Sequence, residues 1–399
     1  MNQVPHIAII GAGFGGLAMA IALKTQLGFN NFTIYEKASD IGGTWRDNVY
    51  PGCSSDNPIH LYSLSTDLRP TWTNTHGYQP EIFAYMKSLV EKYSLQYNLS
   101  LNTKFLSAHW DSEKQLYHIT TEDIVSGKKN TATAQIAISA VGILGMPKMP
   151  EIAGIDRFKG FLFHSSRWNT KLDFQGKRVA VIGNGASATQ FIPEIVKLRE
   201  TDVTQFCRSR IWYLPPDKFP VDIRGCKGTS IQEYYEFEGG PKAHLGTTIP
   251  GFPNFYMLSG PNTATGYSPV LLFEEIQVKY ILQMVQPVLQ SRVSSFEVTV
   301  KATEAYNHKM QGMMLHSAFL NCVSPYRIGG DGKITFVFPG STAHFWWWLK
   351  RPIWGDYISV CSSSDSGADT DESASPSLVK VMAGFGVLAV AVAWVYKLL

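Results

Sequence analysis

Short apolar runs that end in a glycine-rich turn occur twice in the chain. The first run, Ile7–Ile10, leads into Gly11, and an apolar stretch compatible with a helix follows from Leu17 to Leu27. Another apolar run, Phe32–Tyr35, then ends on the acidic residue Glu36. A short apolar strand, a helix and a second strand in this order are typical of a parallel βαβ unit. The pattern therefore predicts an α/β domain at the start of the chain.

The second copy of this pattern begins at residue 178. Its apolar run leads into Gly183 and Gly185, with Ala188 in place of a third glycine. The next predicted strand, Val203 to Phe206, leads into Arg208-Ser209-Arg210 instead of an acid. A guanidinium can hold a 2′-phosphate with paired donors, whereas a carboxylate would repel it, so this turn favours NADPH over NADH. The alternative interpretation is that both arginines are solvated surface residues.

The glycines of the first turn have separate physical roles. Gly11 permits the tight turn, Gly13 lets the backbone approach a pyrophosphate, and Gly16 allows the helix and the strand to pack closely. The amino end of the helix supplies N–H groups and a positive dipole. Glu36 lies 20 residues beyond Gly16, where an acid can accept hydrogen bonds from ribose hydroxyls. The turn is therefore predicted to bind a dinucleotide.

Composition and charge exclude several function classes. The 399 residues carry 35 Lys and Arg against 32 Asp and Glu, without a dense basic run, so nucleic acid is not an expected partner. The five cysteines are far apart and include no CxxC pair, which argues against a disulfide framework or a metal site and fits a reducing compartment. No charged and apolar leader precedes the first strand, so a cytoplasmic location is expected.

The C-terminal region has a different character. Residues 361–377 are rich in Ser and Asp and too polar to pack, which predicts a disordered linker. An uncharged apolar run then extends from Val381 to Tyr396. It has no polar face and is long enough for a thin bilayer, so residues 378–399 are expected to form a tail-anchor helix at the cytoplasmic face of a membrane. An amphipathic or core helix is the alternative.

Two longer stretches carry a family resemblance. They are GGTWRDNVYPGCSSD at 42–56 and FKGFLFHSSRW at 158–168. With the two glycine-rich turns, in the same order, they resemble the signatures of the Baeyer–Villiger monooxygenases, which are class B flavin-containing monooxygenases. The first signature is met at every fixed position, and the second until Asn169, where the family has Pro or Asp. Residues 245–254 and 260–262 look like the family's return to its FAD domain.

The resemblance implies a fold and a domain organisation. The fold is α/β with two Rossmann-like dinucleotide-binding domains, of which the FAD domain comes in two sequence segments and the inserted NADP domain is shortened. The implied segments are 1–155 (FAD domain, first segment), 156–225 (NADP domain, incomplete), 226–360 (FAD-domain return and substrate side), 361–377 (linker) and 378–399 (apolar helix).

The resemblance also implies which residues serve the two cofactors, FAD and NADPH. Asp56 would lie near the isoalloxazine, where a carboxylate can influence catalysis, and His164 and Trp168 would couple domain movement at the hinge. The residues expected at FAD are Gly11, Gly13, Phe14, Gly15, Gly16, Glu36, Thr44, Trp45, Asp56, Asn57 and Tyr62. The residues expected at NADPH are Gly183, Asn184, Gly185, Ala186, Ser187, Gln190, Arg208 and Ser209.

The implied reaction is a Baeyer–Villiger oxidation. NADPH reduces FAD, and one oxygen atom of O2 is inserted beside the carbonyl of a hydrophobic ketone, such as a secondary metabolite, to give an ester or lactone. The cofactor carries that chemistry. The protein would supply a dry pocket, a positive charge and a site that retains NADP+.

The interval after the second turn departs from the family. Only about 60 residues separate that turn from Leu245, too few for a complete doubly wound domain. The family's active-site arginine is not found, because neither Arg224 nor Lys227 lies in a matching motif. The join is expected near residues 221–225. The departure fits a shortened gene model, a protein that binds FAD without catalysis, or an enzyme that recruits another cation.

Three functions stay open on these residues. The first is a Baeyer–Villiger monooxygenase that acts on a hydrophobic ketone at a membrane surface. The second is an N- or S-oxygenating flavin monooxygenase, which would use the same two nucleotide turns. The third is a catalytically impaired flavoprotein that binds its ligand without turnover. A disulfide reductase is discounted because it requires a CxxC pair.

Overall fold

The computed structural model describes residues 4–142, 144–207, 222–264, 269–315, 327–328, 333–335 and 337–361. Arg208, Ser209 and Arg210 lie outside these residues, and so do residues 362–399 with the predicted tail-anchor helix. Cys361, at the predicted start of the linker, is instead the last residue of a strand. None of the helices in the described ranges combines the length and the apolar character that crossing a bilayer requires.

The elements up to residue 140 alternate strands and helices and then continue as strands. The strands are β1 (Ile7–Ile10), β2 (Phe32–Tyr35), β3 (Leu99–Ser100), β4 (Thr103–Asp111), β5 (Leu116–Asp123), β6 (Lys129–Ala134) and β7 (Ile136–Ser139). The helices are α1 (Phe14–Leu27), α2 (Thr44–Asp47) and α3 (Gln79–Lys92). The predicted strand–helix–strand unit is confirmed, and α1 begins three residues before Leu17.

The elements after residue 140 follow a long connection without strands. The strands are β8 (Arg178–Ile182), β9 (Asp202–Phe206), β10 (Asp222–Arg224), β11 (Phe255–Met257), β12 (Val293–Val298), β13 (Arg327–Ile328), β14 (Lys333–Ile334) and β15 (Tyr357–Cys361). The helices are α4 (Ala186–Ile195), α5 (Ile231–Phe237), α6 (Val270–Leu289), α7 (Val300–Met314) and α8 (Thr342–Leu349).

The main sheet is parallel and has the strand order β11-β7-β1-β2-β3. In its register, Ile9 lies opposite both Ile34 and Ile138. All three side chains are fully buried, as expected for a parallel sheet with both faces covered. α1 and α6 pack against each other beside this sheet. Because β11 follows residue 254, the segment predicted to return to the FAD domain does join this sheet.

A second sheet lies beside the first and has the order β10-β4-β5-β6. β4, β5 and β6 form antiparallel pairs, whereas β10 pairs parallel with β4. The segment predicted to end the NADP domain at residue 225 thus contributes Asp222–Arg224 to this sheet. The boundaries at 155 and 225 stay predictions, since residues 1–362 form one compact unit.

The second nucleotide unit is confirmed as a strand, a helix and a strand, namely β8, α4 and β9. In the described ranges its sheet consists of these two parallel strands. Several side chains of both strands are exposed, among them Ile182 and Phe206. Parallel strands normally lie between neighbours that cover both faces. The two strands therefore represent part of a nucleotide-binding domain.

Candidate functional site

The first glycine-rich turn connects β1 to α1 with the geometry expected of a phosphate-binding turn. Gly11 has φ +104°, and its N–H donates to the carbonyl of Tyr35 at 2.8 Å. A Cβ atom on Gly16 would lie 2.0 Å from the carbonyl oxygen of Gly11, so only glycine allows this approach. The predicted roles of Gly11 and Gly16 therefore have a direct geometric basis.

The amino end of α1 is open to an anionic ligand. No side chain caps the helix at Gly13, and the first turn, which includes Phe14 and Gly15, contains no acid. Gly13 faces Gly43, because a Cβ atom on Gly43 would lie 3.2 Å from the Cα atom of Gly13. The two glycines thus expose the backbone around free helix N–H groups, which fits the diphosphate of a dinucleotide.

Glu36 follows β2 and lies beside the same turn. Its buried carboxylate accepts hydrogen bonds from the backbone N–H groups of Ala12 and Ala38, each at 3.0 Å. Arg46 adds an ion pair at 3.0 Å to the same side chain. These bonds fix the carboxylate at the edge of the turn, where an acid can accept from the hydroxyls of an adenosine ribose.

The flavin-side segment, residues 44–57, begins with a short helix. The short helix α2 consists of Thr44–Asp47, and the N–H groups of Trp45, Arg46 and Asp47 donate to the carbonyls of Gly42 and Gly43 at 3.0–3.1 Å. A single turn is too short to produce a visible apolar period in the sequence.

Three aromatic side chains from separate segments meet behind this turn. The ring of Tyr62 lies 5.6 Å from that of Phe14 and 5.5 Å from that of Trp45, edge to face in both cases. The Trp45 indole N–H donates to the Tyr62 hydroxyl at 3.2 Å. Burial raises the pKa of Tyr62, so the phenol stays neutral. The structure brings these three predicted flavin-side residues together as an apolar wall.

Asp56 lies at the far end of the flavin-side segment. Its Oδ1 accepts a hydrogen bond from the Gln190 amide at 2.9 Å. Desolvation raises the pKa of Asp56, although this hydrogen bond and the charge of His76 oppose the shift. Asn57 lies in the next turn, where its N–H donates to the Ser55 hydroxyl at 3.2 Å. The Asp56 carboxyl group is thus hydrogen-bonded to a side chain of the second nucleotide unit.

The second glycine-rich turn has the same backbone geometry as the first. Gly183 has φ +105°, and its N–H donates to the carbonyl of Phe206 at 2.9 Å. Asn184 lies between Gly183 and Gly185, and α4 begins after Gly185 at Ala186, without a side-chain cap. Ser187 lies near Tyr50 of the flavin-side segment, where its hydroxyl opposes the rise of the Tyr50 pKa that burial causes. The described part of this turn fits a second dinucleotide, whereas Arg208 and Ser209 lie outside the described residues.

Gln190 has a role that was not apparent from the sequence. Its Oε1 accepts from the Tyr50 hydroxyl at 2.9 Å, and its Nε2 donates to the Ser54 carbonyl at 3.0 Å and to Asp56. Both ends of the side chain therefore hold the flavin-side segment. Gln190 was predicted from the resemblance to contact NADPH, but its contacts in the structure connect the two nucleotide units.

His164 and Trp168 were expected at the hinge between the two units. Trp168 stacks on Phe174 with centroids 5.3 Å apart and also contacts Phe191 of α4 at 5.0 Å and Tyr50 at 6.2 Å. The Nδ1 atom of His164 accepts the Ser166 N–H at 3.1 Å, and burial lowers its pKa. Trp168 therefore contacts both units, whereas His164 forms its hydrogen bonds within its own segment.

The arginines around the flavin-side segment are paired. Arg46 contacts Glu36 and Asp47, and Arg167 lies 3.5 Å from Asp47. Arg224 lies in the second sheet, where it pairs with Asp222 at 3.1 Å.

Within the described residues, no cluster of His, Cys, Asp and Glu side chains could hold a metal ion. Cys53, Cys207 and Cys226 are free thiols, and burial raises the pKa of Cys53 to about 11.

A family model and individual relatives identify the class to which this fold and site correspond. Residues 8–239 match the model described as pyridine nucleotide-disulphide oxidoreductase. The chain belongs to this family. Within it, the chain is 29% identical to a Baeyer–Villiger monooxygenase of Pseudomonas aeruginosa, over 85% of this chain and 88% of the relative. It is 27% identical to a Baeyer–Villiger monooxygenase of Streptomyces coelicolor, over 93% and 97%. The resemblance to the Baeyer–Villiger monooxygenases is thus confirmed.

The fold is shared with a solved structure. A cyclohexanone monooxygenase in its closed form superimposes with a TM-score of 0.79 at 18% identity, covering 90% of this chain and 100% of that one. The alignment with the Pseudomonas relative extends over 473 positions, although this chain has only 399 residues. The alignment therefore includes residues of the relative that lie opposite gaps in this chain. This agrees with the short interval after the second turn.

Proposed function

We propose that this chain is a FAD- and NADPH-dependent monooxygenase that inserts one oxygen atom of O2 beside the carbonyl of a hydrophobic ketone. The named relatives support the class of reaction, and the two open glycine-rich turns support the two nucleotides. The ketone class and a hydrophobic secondary metabolite as substrate are part of the proposal.

The observation that carries the proposal is the junction between the two nucleotide units. A hydride donor must lie next to the flavin that it reduces, and Gln190 joins the helix of the second turn to Tyr50, Ser54 and Asp56 of the flavin-side segment. Trp168 packs across the same junction. The second nucleotide is therefore expected at the same loop as the flavin.

In this mechanism the chain binds, orients and excludes water. The N–H groups at the amino end of α1 would hold the FAD diphosphate, and Glu36 would accept from its ribose. FAD supplies the redox chemistry when it is bound. Phe14, Trp45 and Tyr62 would keep water from the reacting atoms. Asp56, with its raised pKa, would hold or release a proton on Oδ2 while Gln190 fixes Oδ1.

Membrane association is a further part of the proposal. Its support is the uncharged apolar run from Val381 to Tyr396, which lies outside the described residues. A run of this length would anchor the catalytic part near membrane-dissolved substrates. Flotation of the full chain with liposomes, compared with a chain that ends at residue 377, tests this part separately.

The function is tested with purified full-length protein, NADPH and paired substrates. A yellow protein that oxidises NADPH and converts ketones to esters or lactones is the expected result. A panel of thioethers and amines is run in parallel. Sulfoxide or N-oxide without ester would support an N- or S-oxygenating monooxygenase instead, and tight FAD without NADPH-dependent reduction would overturn the proposal.

A second candidate, a flavoprotein that binds without turnover, is favoured by the sheet of the second unit, to which the described residues contribute two strands. A partial domain would hold NADPH weakly, and the described arginines near the flavin-side segment are paired with carboxylates. Anaerobic mixing with NADPH separates the candidates, because bleaching of the flavin absorbance requires hydride transfer. Sequencing the transcript across the codons for residues 221–226 adds a direct check, since extra coding sequence there would complete the domain.

A further inference from the structure

Glu274 is a buried carboxyl group at the amino end of α1. It lies in the first turns of α6 and is only 9% exposed. Its carboxylate occupies the space beside Gly15, because a Cβ atom on Gly15 would lie 3.2 Å from Oε1. Gly15 belongs to the first turn of α1, whose N–H groups were assigned above to the FAD diphosphate.

The two oxygens of Glu274 differ in their partners. Oε1 accepts a hydrogen bond from the Ser259 hydroxyl at 2.8 Å, whereas Oε2 is buried and has no partner among the described residues. An ionised carboxylate with an unpaired buried oxygen is unfavourable, while a protonated carboxyl group carries an O–H that can donate. Burial raises the pKa of Glu274 to about 7, so the acid form is present at neutral pH.

The charged and titratable groups around Glu274 offer no compensating cation. The described ion pairs include none with Glu274, so no Lys, Arg or His of the described residues lies within 4.0 Å of it. From α6 itself, Glu275 points away and accepts the Ser65 N–H at 2.6 Å. On the flavin side, the titratable groups in electrostatic contact are Tyr62, Asp56 and Cys53, none of which is a cation. The first turn of α1 contributes only its N–H groups.

We propose that Glu274 is a positioning residue for FAD, whose protonated and therefore neutral carboxyl group packs against Gly15 and lets the diphosphate bind at the first turn of α1. The inference rests on the proposed FAD-binding function and deepens it. An acid placed beside a diphosphate must bind as the neutral form, since the carboxylate would repel the phosphates. Binding of FAD therefore takes up a proton at Glu274, and the affinity falls as the pH rises through the pKa of the free protein.

The test measures FAD affinity by quenching of flavin fluorescence in the full chain after removal of flavin. The wild type is compared with Glu274→Gln, which is neutral at every pH and keeps an acceptor for the Ser259 hydroxyl, with Glu274→Leu, which is neutral and has no acceptor, and with Glu275→Gln as the matched control. Between pH 6 and pH 8.5 the wild-type Kd is expected to rise about tenfold or more, because the linked proton is lost. Calorimetry in two buffers of different ionisation enthalpy should show uptake of about half a proton per FAD at pH 7.

The variants then have distinct expected results. Glu274→Gln and Glu274→Leu should both bind FAD with a nearly flat pH profile and without proton uptake, because neither side chain carries a charge. Glu275→Gln should keep the wild-type profile. A wild-type slope that persists in Glu274→Gln overturns the inference and leaves the proposed function intact. Failure of the wild type to bind FAD at any pH overturns both.

Discussion

The two glycine-rich turns have nearly the same backbone and very different surroundings. Gly11 and Gly183 have φ values of +104° and +105°. A Cβ atom on Gly11 would lie 2.6 Å from the carbonyl oxygen of Ala140, at the end of β7, whereas a Cβ atom on Gly183 would meet nothing within 4 Å. The local sequence is therefore sufficient to form the turn. The neighbouring crossover strand, present at the first turn, makes it part of a packed sheet.

The strands that lead into the two turns show the same contrast. Ile10 lies opposite Tyr35, and the two residues are 3% and 9% exposed. Ile182 lies opposite Phe206, and these residues are 53% and 57% exposed. Burial in a parallel sheet depends on further strands and helices from elsewhere in the chain. The second unit has the local pattern of a nucleotide domain with only part of its tertiary contacts.

The largest expected effect comes from alanine at the first residue of each turn. Gly11→Ala adds strain from its positive φ, about 1–3 kcal/mol, and an overlap with the carbonyl of Ala140 that adds a similar amount. Gly183→Ala adds only the strain. We expect Gly11→Ala to lose bound flavin and to lower the midpoint of urea unfolding strongly. Gly183→Ala should retain its flavin. Equal losses in the two variants would contradict the difference in packing.

Removal of the charge on Glu36 should have the next largest effect. Glu36→Gln weakens hydrogen bonds to the N–H groups of Ala12 and Ala38 and an ion pair with Arg46, which together contribute about 1–3 kcal/mol. We expect a lower free energy of unfolding and an FAD affinity about tenfold weaker, measured by flavin fluorescence. Asp40→Asn, which breaks an exposed pair with Lys87, is the control and should change stability by less than about 1 kcal/mol. The same change in both variants would show that Glu36 has no special role.

Local patterns were sufficient to predict the elements that form each turn. Four apolar residues followed by glycine gave β1 and β8, and the acid after β2 proved to be at the turn. These features depend on neighbours within about 30 residues, so their period and spacing are visible in the sequence. The flavin-side residues Trp45 and Tyr62 were found through the family resemblance.

Contacts between distant segments could not be predicted in this way. Gln190 meets Asp56 across 134 positions of the chain. Glu274 interrupts an apolar helix face that would ordinarily be assigned to the core, and its site beside Gly15 exists only because α6 packs on α1. The exposure of Ile182 depends on whether further strands cover it, and among the described residues none does, whereas an apolar strand sequence predicts burial in either case. Tertiary context decided all three.

The contact between the two units should be sensitive to Gln190. Gln190→Ala removes hydrogen bonds to Tyr50, Ser54 and Asp56 without touching the first turn. We expect the rate of flavin reduction by NADPH to fall about tenfold, the equivalent of about 1.4 kcal/mol, while FAD affinity changes by less than about twofold. Stopped-flow absorbance measures the first and fluorescence the second. Gln283→Ala, a remote glutamine on α6, should leave both unchanged. If Gln190→Ala instead lost FAD affinity, Gln190 would contribute to the flavin site as well as to the contact between the units.

The smallest expected effect is also the most direct measure of how open the second unit is in solution. Ile10→Val and Ile182→Val each remove one methyl group at equivalent positions, and valine keeps the β-branched shape that favours strands. In the buried position the change should lower the free energy of unfolding by about 0.5–1.5 kcal/mol, and in the exposed position by less than about 0.5 kcal/mol. Urea unfolding followed by circular dichroism measures both. If Ile182→Val were as destabilising as Ile10→Val, the strand would be covered in solution, and the second unit would have a packed face despite its two described strands.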